Sequence, residues 1–255
     1  MLLTHFHSDH IGDLGELNFQ TWAAGRAGPL SVYGGPGVED VVAGFNGAYR
    51  LDQGYRSEHH SERIMPAFSW PMVAQVVDLG DPTAAKDRTR VLLETDGLRI
   101  TAIEVDHAPI APAYAYRFDY RGRSVVISGD LKMHRPLATA ATGADVLISE
   151  AIARTMLEAV QKGTASAGRA RQATILHDIQ DYHLSPREAA EIAEAADVKL
   201  LVFYHLLPAP DTALARRLFA DDVRDIRKGR WAIASDGSLY TLPIGSPRID
   251  QGRIE

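Results

Sequence analysis

The sequence predicts an α/β protein. Apolar runs of strand length alternate along the chain with stretches whose apolar residues recur at helical spacing, and Gly, Pro and Asp pairs separate them. Hydrophobic residues make up 45% and charged residues 24% of the 255 positions, a composition that excludes disordered, coiled-coil and collagen-like proteins. The net charge of −6 excludes a strongly basic nucleic-acid coat. We therefore expect one globular domain over residues 1–255.

The early part of the chain predicts a strand over residues 30–33 and a helix over residues 36–49. The helix opens at a proline, and its valines and phenylalanine recur at helical spacing. Residues 50–88 are the least regular stretch, with several prolines, and we interpret them as a long surface excursion that faces the substrate. Neither an apolar run of about eighteen residues nor a signal peptide is visible, which predicts a cytoplasmic protein that does not enter a membrane.

The middle of the chain predicts a meander of hairpins. The strands of this meander cover residues 91–94, 99–105, 113–120 and 124–128, and Asp96-Gly97 and Arg121-Gly122 form turns. The later elements are a strand over 146–149, helices within 154–180 broken near 163–168, a capped helix over 185–196, a strand over 199–204, a helix over 212–228, and a last hairpin of 231–234 with 238–242.

A cluster of metal-ligand residues lies at the start of the chain. His5, His7, Asp9 and His10 place four donors within six positions, and the absence of cysteine leaves His, Asp and Glu as the ligands for any metal. In an extended segment residues two apart share a face, so His5 and His7 can bind one metal. A turn after His7 would let Asp9 and His10 face a second metal about 3.5–4 Å away. The alternatives are a histidine-rich surface turn and a remnant of an expression tag.

This motif resembles the signature of the metallo-β-lactamase superfamily, and the resemblance extends along nearly the whole chain. In that superfamily the remaining ligands follow strands in the order His, Asp, His, and this chain offers His107, Asp130 and His205. The resemblance implies an αβ/βα sandwich and two zinc ions, with manganese or iron also compatible. The implied ligand sets are His5, His7 and His107 for one ion, Asp9, His10 and His205 for the other, and Asp130 as the bridge.

One further histidine is similar to a catalytic residue of the ribonuclease Z and arylsulfatase-like group. His183 lies just before the helix that Ser185 caps, and in that group a His at this place protonates the leaving oxygen. The positive end of the helix would help such a histidine to give up a proton. The resemblance thus makes Asp9 and His183 the catalytic residues. A solvent-facing histidine is the alternative for His183.

The start of the chain differs from that family pattern. Family members place several strands before the first metal motif, whereas here only four residues precede His5. We therefore expect a fold that lacks its N-terminal strands, either because the native start lies upstream or because this is a shortened member. An edge that such strands would cover would then be exposed.

The sequence predicts a binuclear zinc hydrolase that cleaves a phosphodiester by a hydroxide shared between the two cations, in the manner of ribonuclease Z and with RNA or tRNA 3′ processing as the expected activity. Sulfatase, lactonase or β-lactamase activity on the same site is the alternative enzyme interpretation. A non-catalytic metal-binding module is the alternative from another class. The expected partners are a small anionic ester or RNA as substrate, with a homodimer as an open alternative and no membrane.

Overall fold

A computed structural model describes residues 1–80 and 88–254 of the chain. The chain divides into two compact units, Met1–Gly80 and Asp81–Glu255, called unit 1 and unit 2 below. Both units combine strands with helices, which confirms the predicted α/β class. The single domain expected over residues 1–255 stays a prediction. Within the described residues no helix is both long and apolar enough to cross a membrane.

Unit 1 has a two-stranded parallel sheet of β1 (Leu30–Gly34) and β2 (Met72–Val76). Its helices are α1 (Ser8–Ile11), α2 (Leu14–Ala23), α3 (Val38–Ala48) and α4 (Arg50–His60). The strand predicted over 30–33 and the helix predicted over 36–49 are therefore confirmed. An apolar core packs the sheet against α2 and α3, and its buried members are Leu3, Leu14, Val32, Val38, Val42 and Met72.

The prediction of an irregular excursion over residues 50–88 is wrong for most of its length. The stretch contains α4, a 3₁₀ turn at Ala67–Ser69 and β2. The helix escaped the sequence interpretation because only Ser57 is buried among its residues, so it carries no apolar periodicity. Residues 81–87 of the predicted excursion lie outside the described residues.

The first three residues pair with β1. Leu2 forms a parallel bridge with Tyr33, the amide of Leu3 donates to the carbonyl of Tyr33 at 2.8 Å, and the amide of Tyr33 donates to the carbonyl of Met1 at 2.9 Å. The stretch that leads into His5 is thus paired on this side within unit 1. That the fold lacks the N-terminal strands of its family stays a prediction.

Unit 2 has a seven-stranded sheet whose strands follow chain order. The first four strands form an antiparallel meander, as predicted: β3 (Thr89–Thr95), β4 (Leu98–His107), β5 (Ile110–Tyr120) and β6 (Arg123–Ile127). The turns at Asp96-Gly97 and Arg121-Gly122 have positive φ at both residues, which hairpin turns of this length require. The last three strands are parallel: β7 (Val146–Ile152), β8 (Leu200–Leu207) and β9 (Arg230–Ile233).

Between β6 and β8 the described chain forms the helices α5 (Arg135–Ala140), α6 (Arg154–Ser166), α7 (Ala170–Asp178) and α8 (Pro186–Ala195). The predicted break between α6 and α7 is confirmed, and so is the cap of α8. The Ser185 hydroxyl accepts from the Glu188 amide, and the Glu188 carboxylate accepts from the Ser185 amide. The helix α8 buries Ala189, Ala190, Ile192 and Ala193 in the main apolar core of unit 2, and this packing holds its N-terminus in place.

Two predictions for the last part of the chain are wrong. The single helix over 212–228 is two helices, α9 (Ala213–Phe219) and α10 (Val223–Ile226). Arg227 follows them as a buried residue, with its guanidinium 2.8 Å from the Glu194 carboxylate, so the stretch does not run on as one exposed face. The predicted last hairpin does not form, because β9 pairs with β8, while β10 (Ser238–Thr241) pairs with β11 (Asp250–Arg253).

Candidate metal centre

The four donors of unit 1 converge because an extended segment turns into a helix between them. His7 is extended, with φ −61° and ψ 148°, and α1 begins at the next residue with Asp9 in its first turn. The ring centroid of His5 lies 4.7 Å from that of His7 and 4.1 Å from that of His10. The Asp9 Oδ2 atom is 3.4 Å from His10 Nε2. The predicted turn after His7 is therefore α1.

In unit 2, His107 lies at the end of β4, next to a shift in the register between β4 and β5. It is 1% exposed, and its Nδ1 is 2.8 Å from the backbone carbonyl of Tyr182. Since a carbonyl can only accept, Nδ1 carries the hydrogen and the lone pair is on Nε2. A backbone carbonyl on one ring nitrogen is the usual partner of a metal-ligating histidine.

Asp130 lies in the loop that follows β6, and His205 lies near the end of β8. Asp130 is 2% exposed. It follows Gly129, whose φ of 61° lies in the left-handed region that glycine adopts at little cost. His205 is the extra residue of a bulge in β8, where the register shifts, and its own φ is 48°. Bulges of this kind redirect a side chain next to functional sites.

These residues come together with the predicted proton donor. The Oδ2 atom of Asp130 lies 3.8 Å from Nε2 of His205 and 3.8 Å from Nδ1 of His183. Asp130, His183 and His205 each offer one ligand atom, and these atoms lie within 4.8 Å of one another. Imidazole nitrogens and a buried carboxylate are the ligand set of zinc, and they also suit manganese or iron. The donors of unit 2 therefore fit a divalent metal.

Glu150 is a buried residue of this site that the sequence interpretation missed. Its side chain is 0% exposed and its Oε1 atom is 3.2 Å from Nδ1 of His183. The same oxygen accepts from the amide of Leu184 at 2.9 Å and from that of Leu131 at 3.3 Å. Burial, followed by the negative charge of Asp130, raises the pKa of the Glu150 carboxyl well above its usual range. The signal was an acidic residue inside an apolar run, where the predicted strand stopped at residue 149.

Two clefts of unit 2 adjoin the candidate ligands. A cleft of about 610 Å³ is lined by His205 and Tyr204 together with Arg216, Ser235 and Asp236. A second cleft, of about 320 Å³, adjoins His107 and has mostly apolar walls. Clefts of a few hundred Å³ are the usual size of small-molecule sites, so both candidate ligands have space for a substrate beside them.

Comparison with known proteins identifies the family. A family model described as "Beta-lactamase superfamily domain" matches residues 1–206. A protein of Mycobacterium avium named "Ribonuclease Z" is 34% identical, and the match covers 97% of this chain and 80% of that relative.

Two solved structures show the same fold. The metallo-beta-lactamase fold protein YhfI of Bacillus subtilis has a TM-score of 0.55 at 20% identity, covering 91% of this chain and 73% of the other. The short form of human tRNase Z has a TM-score of 0.54 at 19% identity, covering 92% of this chain and 75% of the other. The predicted metallo-β-lactamase fold is confirmed, and the interpretation as a non-catalytic module is set aside. The chain therefore belongs to the beta-lactamase superfamily and, within it, to the ribonuclease Z family of metal-dependent hydrolases.

Proposed function

We propose that the chain is a zinc-dependent phosphodiesterase that cleaves RNA, with 3′ processing of tRNA as its activity. The proposal takes its substrate class from the relatives named ribonuclease Z. The observation that carries it is the grouping of Asp130, His183 and His205 within 4.8 Å, which supports a proton-donating role for the His183 ring beside the buried Asp130 and the partly exposed His205. Cytoplasmic location and a homodimer stay predictions.

The proposed metal ligands are the seven residues of the family pattern. His5, His7 and His107 are assigned to one zinc, Asp9, His10 and His205 to the other, and Asp130 to both. The carboxylate of Asp130 has two oxygens, which suits a bridging ligand. When bound, the zinc ions would supply Lewis acidity toward the phosphoryl oxygens and a nucleophile derived from water at neutral pH. Asp9 also keeps its proposed catalytic role beside that nucleophile.

His183 is assigned to the departing oxygen. Its Nδ1 faces the Glu150 carboxylate at 3.2 Å, so in the doubly protonated ring the hydrogen on Nε2 is the one to be delivered. Glu150 is itself fixed by two backbone amides, which hold its carboxyl group beside the ring. A proton placed on the leaving oxygen lowers the barrier most for leaving groups that are poor as anions.

A substrate panel tests this function. The metal-loaded protein is assayed on a tRNA with a 3′ extension, bis(p-nitrophenyl) phosphate, p-nitrophenyl sulfate, a lactone and nitrocefin. We expect turnover of the RNA and of the phosphodiester, with removal of zinc abolishing both and its return restoring them. Turnover confined to the sulfate, the lactone or nitrocefin would overturn the proposal and favour one of the alternative activities.

The catalytic assignment has its own test. His183→Ala should lower turnover of diphenyl phosphate about a hundredfold or more, with a much smaller loss for bis(p-nitrophenyl) phosphate, whose leaving group needs little protonation. The zinc content should not change. An equal loss on both substrates would mean that His183 only helps to bind them.

A further inference from the structure

The segment that carries His183 is held by three residues at alternate positions after the middle of β7. Glu150 accepts from the amide of Leu184 at 2.9 Å, and the amide of Ile152 donates to the carbonyl of Leu184 at 2.7 Å. Arg154 donates from Nη2 to the carbonyl of His183 at 3.0 Å. Each of the three bonds ends on His183 or its neighbour, so this short segment has little freedom to shift.

Local sequence does not explain why an arginine stands at position 154. Arg154 is the first residue of α6, whose N-cap, Ala153, provides no side-chain hydrogen bond. A cation in the first turn of a helix opposes the helix dipole, which is unfavourable. A residue that goes against its local preference is expected to have a tertiary role.

The guanidinium of Arg154 supplies that role by linking two helix ends. While Nη2 donates to His183, Nη1 lies 2.9 Å from Oε2 of Glu188. The same Glu188 oxygen accepts from the amide of Ser185 at 2.7 Å and from its hydroxyl at 2.8 Å. The start of α6, the His183 carbonyl and the cap of α8 thus form one connected network. A planar fork with separate donors suits this geometry, and a lysine ammonium does not reproduce it.

We propose that Arg154 is a positioning residue for His183, acting through the backbone of residues 183–185. This inference rests on the proposed function, in which His183 protonates the leaving oxygen. Arg154 contacts none of the seven proposed metal ligands through a described hydrogen bond or ion pair. Its loss should therefore change the placement of the His183 ring and leave the metal in place.

The test measures leaving-group dependence in the metal-loaded full-length protein. Wild type, Arg154→Ala, Arg154→Lys, His183→Ala and the double variant are compared on diphenyl phosphate and bis(p-nitrophenyl) phosphate. Arg154→Ala should lower kcat on diphenyl phosphate roughly tenfold to a hundredfold, since about 1 Å of misplacement can cost that much, and on bis(p-nitrophenyl) phosphate no more than about threefold. Arg154→Lys should restore only part of the loss.

The double variant separates positioning from a general structural effect. If Arg154 acts through His183, then Arg154→Ala should cause no further loss in a chain that already lacks the His183 ring. Arg187→Ala is the matched control, because Arg187 lies at the start of the same α8 but pairs, among the described residues, with Glu191 of that helix at 3.1 Å. Amide hydrogen exchange of Leu184 in the metal-free protein should be faster in Arg154→Ala than in Arg187→Ala.

Three results would overturn the inference. They are an equal loss on both substrates in Arg154→Ala, additive losses in the double variant, and full activity in Arg154→Ala. A His183→Ala variant without leaving-group dependence would instead remove the proposed role of His183, and the inference about Arg154 with it. Zinc content and thermal melting of each variant show whether the protein is folded and loaded.

Discussion

The two units hold their candidate ligands in different ways. Unit 1 draws all four of its donors from residues 5–10, in a segment whose helix α1 has four residues, no side-chain cap and no buried residue. Unit 2 draws His107, Asp130 and His205 from three separate strand ends, where a backbone carbonyl, a glycine turn and a bulge fix them. A local donor set is easy to recognise in a sequence but has little support of its own. A dispersed set is hard to recognise but is built into a sheet.

The largest expected difference is in local stability. In the metal-free protein the amides of α1 should exchange with solvent about a thousandfold faster than those of β7 and β8, because a helix of one turn is marginal and strand amides of the core open only in larger unfolding events. Zinc should slow exchange in α1 strongly and in β7 only slightly, since metal binding is coupled to ordering of the ligands. Hydrogen exchange read by mass spectrometry or NMR checks this. Equal protection of α1 and β7 without metal would contradict the comparison.

The next largest effect concerns the end of the unit 2 sheet that lies away from the ligands. Asp145 is 3% exposed at its side chain, with Nε of Arg123 at 2.9 Å and Nζ of Lys199 at 2.6 Å. Asp145→Asn should lower the free energy of unfolding by about 3 kcal/mol, because the buried guanidinium loses its counter-charge. Zinc content should stay at the wild-type level. Chemical denaturation checks this, with Asp250→Asn as control, since Asp250 pairs with Arg248 at the surface.

The buried Asp145 carboxylate should also make the free energy of unfolding depend on pH. Burial by itself would raise the pKa of Asp145, but hydrogen bonds from Lys199, the Ser124 amide and Arg123 outweigh it and lower the pKa. The folded pKa thus lies below the unfolded one of about 3.9. The stabilisation is fully present above that pH and is lost as the pH falls through the folded pKa. Asp145→Asn should therefore lose less stability than wild type between about pH 5 and pH 2, and an unchanged acid dependence would contradict this.

The same contrast explains what the sequence could predict. The four donors of unit 1 and the capped start of α8 are local patterns, and in the structure the side chains of the donors lie close together and the cap forms. His107, Asp130 and His205 could be predicted only from family resemblance, because their proximity depends on strand order. Glu150 was missed because its role comes from the amides of Leu131 and Leu184, which no local pattern shows. The helix α4 and the partner of β9 were missed because exposed helices and short edge strands have weak apolar patterns.

A smaller effect is expected for the residue that supports His183. Glu150→Gln keeps an oxygen that can accept from the two amides but replaces the carboxyl group that faces Nδ1 of the His183 ring. Turnover should fall about tenfold to a hundredfold, the usual range for a residue that supports an active-site group rather than binding the metal. Steady-state kinetics on diphenyl phosphate with zinc analysis checks this. Loss of zinc in proportion to activity would show that Glu150 holds the metal site itself.

The central proposal is that the seven candidate ligands would bind two zinc ions, with Asp130 as a ligand of both. Elemental analysis of purified, zinc-loaded protein tests it directly, comparing wild type with Asp130→Ala and with Asp119→Ala, whose carboxylate pairs with Arg117 on β5. The account predicts about two zinc ions per chain in wild type and in Asp119→Ala, and at most one in Asp130→Ala, because no other proposed ligand serves both ions. Wild-type protein without zinc, or an Asp130→Ala variant that keeps two ions, would contradict it.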